Sequence, residues 1–113
     1  MKTSIALTTY NGEKFLQAQL QSFMDQTIQP DELIVCDDCS KDSTIDILKS
    51  FKEKAKFEVH IHRNERNIGL NKNFENAISF CNGDIIFLSD QDDVWFKQKI
   101  ENVLEVFKTI PSI

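Results

Sequence analysis

The sequence predicts an α/β protein with an open, mostly parallel sheet and helices on both faces. Four short apolar runs have the length of buried strands: Ile5-Ala6-Leu7, Leu33-Ile34-Val35-Cys36, one around Val59 and Ile61, and Ile85-Ile86-Phe87-Leu88. Between them lie segments whose apolar residues recur at helical spacing. Polar, turn-forming stretches separate the two kinds of segment. Strands alternating with helices imply a parallel sheet covered by helices. Right-handed crossovers then restrict the topology.

The elements follow in order. Strand one is expected over residues 3–8. A helix follows from Gly12 or Glu13, with Leu16, Leu20, Phe23 and Met24 on one face. Gln29-Pro30-Asp31 breaks the chain before strand two, residues 32–36. Ser40 or Asp42 is placed to cap the second helix, which turns Ile45, Leu48 and Phe51 inward. Strand three covers residues 57–62, and a polar loop runs from Arg63 to Gly69. The third helix presents Phe74, Ala77, Ile78 and Cys81, and Asn82-Gly83 ends it. Strand four covers residues 84–88. The last helix is expected from Trp95 to Lys108, with Phe96, Ile100, Val103, Leu104 and Phe107 facing in.

Composition limits the function classes. A chain of 113 residues makes one domain with a modest core. Its 41% apolar and 27% charged content is that of an ordinary globular protein. No apolar run approaches the roughly 20 residues of a membrane span. The net charge of −5, with no basic stripe, argues against a nucleic-acid surface. Three cysteines do not suggest a disulfide framework, so reduced thiols and a cytoplasmic setting are expected. Cys36-x-x-Cys39 with His60 and His62 resembles half a zinc site, but Cys36 ends an apolar strand and reads as a packed residue.

In parallel sheets, ligands bind outside the carboxyl ends of the strands. Here those ends carry Thr8-Thr9-Tyr10-Asn11, Asp37-Asp38, Arg63 to Asn67, and Asp90-Gln91-Asp92-Asp93. The last places three carboxylates in four residues, just after a buried strand. Like charges that close repel unless a cation sits among them. A hard divalent ion with oxygen ligands relieves this, and the other reading is a solvated turn capping the next helix. Tyr10 is suited to stacking on a ring, and Arg63 or Arg66 to meeting a phosphate. Strand one is followed by a single glycine, so no dinucleotide fingerprint is present, and there is no Walker A pattern. A phosphate-receiving signalling domain would need a phosphorylatable Asp after strand three, where His62-Arg63 stand.

Four motifs appear in register: Thr8-Thr9-Tyr10-Asn11-Gly12, Val35-Cys36-Asp37-Asp38-Cys39-Ser40, Asn67-Ile68-Gly69, and Asn82-Gly83-Asp84 running through Ile85-Ile86-Phe87-Leu88 to Ser89-Asp90-Gln91-Asp92-Asp93. Together they resemble the nucleotide-sugar-binding half of the family 2 inverting glycosyltransferases, which have the Rossmann-like GT-A fold. Asn73-Phe74 and Asp90 to Trp95 resemble the rhamnosyltransferase-like branch. The resemblance spans nearly all of residues 1–113.

The resemblance implies that Thr8 and Tyr10 contact the nucleotide and that Asp38 recognises a pyrimidine. It implies donor contacts for Asp90 and Asp92 and a Mn²⁺ or Mg²⁺ ion on Asp93 and Asp92, with Asp90 the rival for either role. The implied ligand is a dTDP- or UDP-linked sugar, with rhamnose the sugar of the branch it resembles, passed with inversion to a polysaccharide acceptor. The intact enzyme would work in the cytoplasm, at the inner face of the membrane. Two positions depart from the family. Cys39 stands where glycine is usual and is strained if that position needs positive φ. Phe74 replaces a usual Arg. Such enzymes are more than twice as long, so the acceptor half and its catalytic base are expected beyond the C-terminus, and this chain alone is not expected to turn over. The strand-four edge around Ile85 to Leu88 is then expected to be exposed and to favour self-association.

Overall fold

The computed structural model describes residues 1–110. Its elements are β1 (Thr3–Thr9), α1 (Leu16–Met24), β2 (Glu32–Asp37), α2 (Thr44–Lys54), β3 (Glu58–Arg63), α3 (Leu70–Phe80), β4 (Ile85–Ser89) and α4 (Lys99–Thr109). The four strands are all parallel, in the order β3-β2-β1-β4. The two central strands are buried along their whole length, as apolar runs in a doubly covered sheet must be.

Alternation across the pleat sends Ile5, Leu7, Leu33, Val35, Val59 and Phe87 to one face. There they meet Leu16, Leu20 and Phe23 of α1, Leu48 and Phe51 of α2, and Ile100 of α4. Ala6 and Cys36 point to the other face, against Ala77 of α3. These small residues let α3 lie close to the sheet.

Several expectations about facing are corrected. Trp95 is not the first residue of the last helix. It lies in an irregular stretch before α4 and is buried, with its ring 4.8 Å from that of Phe23. Phe96, expected inward, is therefore turned out and exposed. Phe107 and Ile78 are exposed as well. On α3 the buried ridge is Asn73 and Ala77, four residues apart, with Cys81 following half-buried. Asn73 is admitted to the interior because its amide donates to the Cys36 carbonyl at 2.7 Å.

Gly83 also does not act as a helix cap. α3 ends before it, and a Cβ at Gly83 would lie 2.7 Å from the Ser4 nitrogen, so close backbone approach requires glycine there. The N-cap position of α2 falls on Ser43, so neither expected residue caps it: Asp42, one residue earlier, accepts the Thr44 N–H at 2.9 Å in an Asx-type turn. Ser40 instead bonds to Asp37.

The outer edge of β4 pairs with no strand among the described residues, and Leu88 on it is 53% exposed. Within the same residues, no helix is long and apolar enough to cross a membrane.

Candidate functional site

The carboxyl ends of β1, β2 and β4 and the start of α3 surround a cavity of about 390 Å³. Five residues singled out from the sequence line it: Thr8, Tyr10, Asp38, Asp90 and Asp92. Asn67, Gly69, Leu70, Asn73 and Gln91 complete most of the wall. Asp93 is exposed and does not line it, nor do Arg63 and Arg66. Arg63 instead donates to the Ser40 carbonyl at 3.2 Å. The wall thus carries three carboxylates and no cationic side chain.

The adjacent aspartates after β2 have different work. Asp37 is fully buried and accepts from the Thr9 hydroxyl at 2.7 Å and from the Ser40 N–H at 2.8 Å and hydroxyl at 2.6 Å. It closes the turn as an Asx residue does. Asp38 faces the cavity. Its Oδ1 accepts from Asn64 Nδ2 at 3.0 Å and the Ile68 N–H at 2.8 Å, and its Oδ2 from the Gly69 N–H at 3.0 Å. A carboxylate offers about four lone-pair sites, so one on Oδ2 remains for a ligand donor. Asp38 therefore also fixes the 64–69 loop. Gly69 begins α3 at φ 88°, a left-handed conformation that glycine adopts without steric cost. Cys39, next to Asp38, sits at φ 66°, the condition under which its departure from glycine carries strain.

The acidic loop after β4 is pinned at both ends by α1. Gln19, fully buried, donates from Nε2 to Ser89 Oγ at 3.0 Å and to the Asp90 carbonyl at 2.5 Å. At the far end the Trp95 N–H donates to Ser22 Oγ at 3.1 Å, and the Lys99 ammonium lies 4.3 Å from the Trp95 ring centroid. Between these anchors, Asp90 Oδ1 accepts from the Gln91 N–H at 2.8 Å and the Thr8 hydroxyl at 3.4 Å. The side chains of Asp92 and Asp93 have no hydrogen-bond or ion-pair partner among the described residues. Asp92 has φ 80°, a conformation that Asp tolerates better than most residues. Tyr10 is half-exposed rather than packed on a helix, and Gln91 Oε1 accepts its backbone N–H at 2.8 Å. Gln19 was not singled out from the sequence, and Asn73 and Gln91 stood in the quoted motifs without a role. The available signal was a polar residue at a position whose periodicity calls for an apolar one, as at Asn73 and Gln19.

Among the described residues, one group of His, Cys, Asp or Glu side chains brings ligating atoms within 4.8 Å of one another: Glu32, Glu58 and His60. It lies at the amino ends of β2 and β3, away from the cavity. Glu32 there is already engaged by the Ser4 hydroxyl at 2.5 Å, the Asn82 N–H at 2.6 Å and the Lys2 ammonium at 3.9 Å. Cys36 and Cys39 do not join this group. Burial pushes the Cys36 thiol up to about 11, which disfavours the thiolate a metal needs. Asp90, Asp92 and Asp93 form no preassembled cluster. A hard cation at that loop would be held by one or two carboxylates, with ligand oxygens and water completing its shell.

A larger hollow of about 520 Å³ lies between α1 and α2. It holds none of the strand-end groups.

Comparison with known proteins bears on these features. The chain is 34% identical over 103 residues to the dTDP-rhamnosyl transferase RfbG of Shigella flexneri, a match covering 88% of this chain and 36% of that protein. It is 33% identical over 102 residues to the putative teichuronic acid biosynthesis glycosyltransferase TuaG of Bacillus subtilis, covering 90% and 40%. The structure of S. aureus TarS 1–349 in complex with UDP superposes with a TM-score of 0.87 at 28% identity, covering 96% of this chain and 32% of that one. The mannosyltransferase PcManGT from Pyrobaculum calidifontis, at 18% identity and a TM-score of 0.85, shares the fold. The chain thus spans about a third of the length of the relatives it matches. The fold is the α/β GT-A arrangement of glycosyltransferases. The sequence profile of Glycosyl transferase family 2 matches residues 4–112, and the chain belongs to that family.

Proposed function

We propose that this chain is the donor-binding portion of an inverting glycosyltransferase and holds a nucleotide-diphosphate sugar in the cavity at the carboxyl ends of β1, β2 and β4. One observation carries the reading: three carboxylates, a half-exposed tyrosine and no cationic side chain share one wall. A diphosphate enters such a wall only with a divalent cation, because anion–anion repulsion otherwise opposes it. The donor set of hard carboxylate oxygens fits Mn²⁺ or Mg²⁺.

Asp92 and Asp93 are the residues we assign to the ion, with Asp90 the alternative partner of Asp92. Asp92 lines the cavity and Asp93 follows it in the chain, and neither side chain is committed elsewhere. A cation bound there would neutralise charge as the diphosphate departs. Tyr10 stacks on the base, and Asp38 accepts a pyrimidine N–H through its remaining Oδ2 lone pair. Thr8 and Asp90 contact the nucleotide and the sugar.

The dTDP-rhamnosyl relative supports a dTDP donor carrying rhamnose, and the UDP complex of TarS supports the alternative pyrimidine nucleotide UDP. The base that deprotonates the acceptor hydroxyl is assigned to polypeptide outside these residues, with inversion by a single in-line displacement. The teichuronic acid relative supports a polysaccharide acceptor. The work is assigned to the cytoplasm, at the inner face of the membrane. The unpaired edge of β4 is assigned to self-association of the chain.

Calorimetric titration of UDP and dTDP, with and without Mn²⁺, tests the site. Binding of one nucleotide should need the metal and be lost in Asp92→Ala. Asp93→Ala and Asp90→Ala then identify the second carboxylate by which of them abolishes the metal dependence. Metal-independent binding, or none of either nucleotide, sinks the assignment.

A further inference from the structure

We propose that Gln91 is a positioning residue whose carboxamide latches the acidic loop after β4 onto the loop after β1, so that Tyr10 and the carboxylates of Asp90 and Asp92 meet one ligand together. The ligand in this inference rests on the nucleotide-diphosphate reading above; the latch rests on geometry alone. Gln91 Oε1 accepts the Tyr10 N–H at 2.8 Å across 81 positions of sequence. The other side-chain tie between the two loops, from Thr8 Oγ1 to Asp90 Oδ1, is longer at 3.4 Å.

Gly12 supplies an independent observation. Its φ lies outside the left-handed region, so backbone freedom does not explain the glycine. A Cβ built there would lie 2.7 Å from Gln91 Oε1 and 3.4 Å from its Cδ. The absent methyl leaves the room the carboxamide occupies. Thr44 Oγ1 holds the Gly12 N–H at 2.9 Å, and the Gly12 carbonyl accepts from Phe15 and Leu16 at the start of α1, so the floor under the latch is fixed.

Apart from the longer Thr8–Asp90 contact, both loops are held from behind. Gln19 and Ser22 grip the acidic loop from α1, and Ser40 Oγ accepts the Asn11 N–H at 2.8 Å from the β2 side. Gln91 makes the shorter of the two side-chain ties that join their cavity sides. Its amide nitrogen has no protein acceptor among the described residues, and Gln91 lines the cavity. With the amide oxygen engaged by Tyr10, the N–H₂ remains available for a ligand oxygen.

The experiment pairs two readouts on the 113-residue chain. Hydrogen exchange of the Tyr10 amide, followed by NMR without ligand, reads the latch directly. Calorimetric affinity for UDP and dTDP with Mn²⁺ reads its consequence. Gln91→Ala should speed Tyr10 exchange and weaken the affinity about threefold to tenfold, the range for one hydrogen bond. The thermal midpoint should hardly move, because the side chain lies at the cavity surface. Gly12→Ala removes no polar group and displaces only the flexible end of Gln91, so it should reproduce both effects. In a Gln91→Ala background Gly12→Ala should add nothing, since the atom it would meet is gone. Gln91→Glu keeps an acceptor oxygen and should restore the Tyr10 protection.

Unchanged Tyr10 exchange in Gln91→Ala, or additive losses in the double variant, would overturn the proposal. Failure of the wild-type chain to bind either nucleotide refutes the ligand reading instead, and the exchange data still decide the latch.

Discussion

Replacing Cys39 with glycine should stabilise this protein. Cys39 holds φ 66°, where an L side chain crowds its own backbone. That conformation costs a non-glycine residue about 1–2 kcal/mol. Glycine removes the cost but gives the unfolded chain more freedom, worth about 0.5–1 kcal/mol against folding. The side chain itself contributes little in return. Its sulfur has one long contact, 3.9 Å to the Glu65 carbonyl, and the residue is only partly buried. The balance is a gain of about 0.5–1 kcal/mol, or roughly 2–6 °C in Tm for a domain of this size.

Cys39→Ala is the control, since it deletes the thiol and keeps the strained Cβ. Urea and thermal unfolding of the three proteins under reducing conditions should rank Cys39→Gly above wild type, and Cys39→Ala at or slightly below it. If the glycine variant were no more stable than the alanine variant, the strain argument would be wrong. The turn would then be held by contacts and not by backbone preference. Asn11 at φ 46° and Asp92 at φ 80° lie in the same region but are the residue types that tolerate it best, so glycine there should gain less.

Two further outcomes follow from the same structure. Glu32 is fully buried, and although burial raises its pKa, the Asn82 N–H, the Ser4 hydroxyl and the Lys2 charge together hold it below 4.5. The folded chain therefore binds this proton less readily than the unfolded one, and the stabilisation is full above pH 4.5 and lost as pH falls through the folded value. Glu32→Gln should cost about 2 kcal/mol at pH 7, as the charge that strengthens the bonds from Ser4 and Asn82 and attracts Lys2 is lost. The gap from wild type in urea unfolding should narrow below pH 4.5; a gap constant with pH would refute the linkage. At the β4 edge, sedimentation of the wild-type chain at tens of micromolar, a concentration chosen so that mass action favours weak dimers, should reveal an associated species. Leu88→Lys should shift it to monomer, because a charge on an open strand edge opposes pairing. A wild-type monomer under those conditions counts against that surface.

Most of the element order was legible in the sequence because it is written in local periodicity. Short apolar runs between helical-period segments leave few alternatives to a parallel sheet, and in such a sheet the strand ends must converge. Thr8, Tyr10, Asp38, Asp90 and Asp92 accordingly line one cavity. The resemblance marked Cys39 as a position where glycine is usual, and the structure supplies the positive φ that makes the departure matter.

Other features depended on contacts between residues remote in sequence, which leave no periodic trace. Asp37 and Asp38 are the same residue type side by side. The resemblance gave the second to a ligand, and the tertiary structure supplies the reason, because Thr9 and Ser40 close around the first while Ile68 and Gly69 reach the second. Trp95 and Phe96 are neighbours of similar apolarity, and only packing against Phe23 decides which is buried. Asn73 and Gln19 sit inside the protein through hydrogen bonds to Cys36 and Asp90 that no hydrophobic pattern encodes. The sequence by itself determined which segments are strands and helices and which ends gather. The tertiary structure decided which polar side chains bind one another and which are left for a ligand, because a buried polar group is defined by its partner and not by its neighbours along the chain.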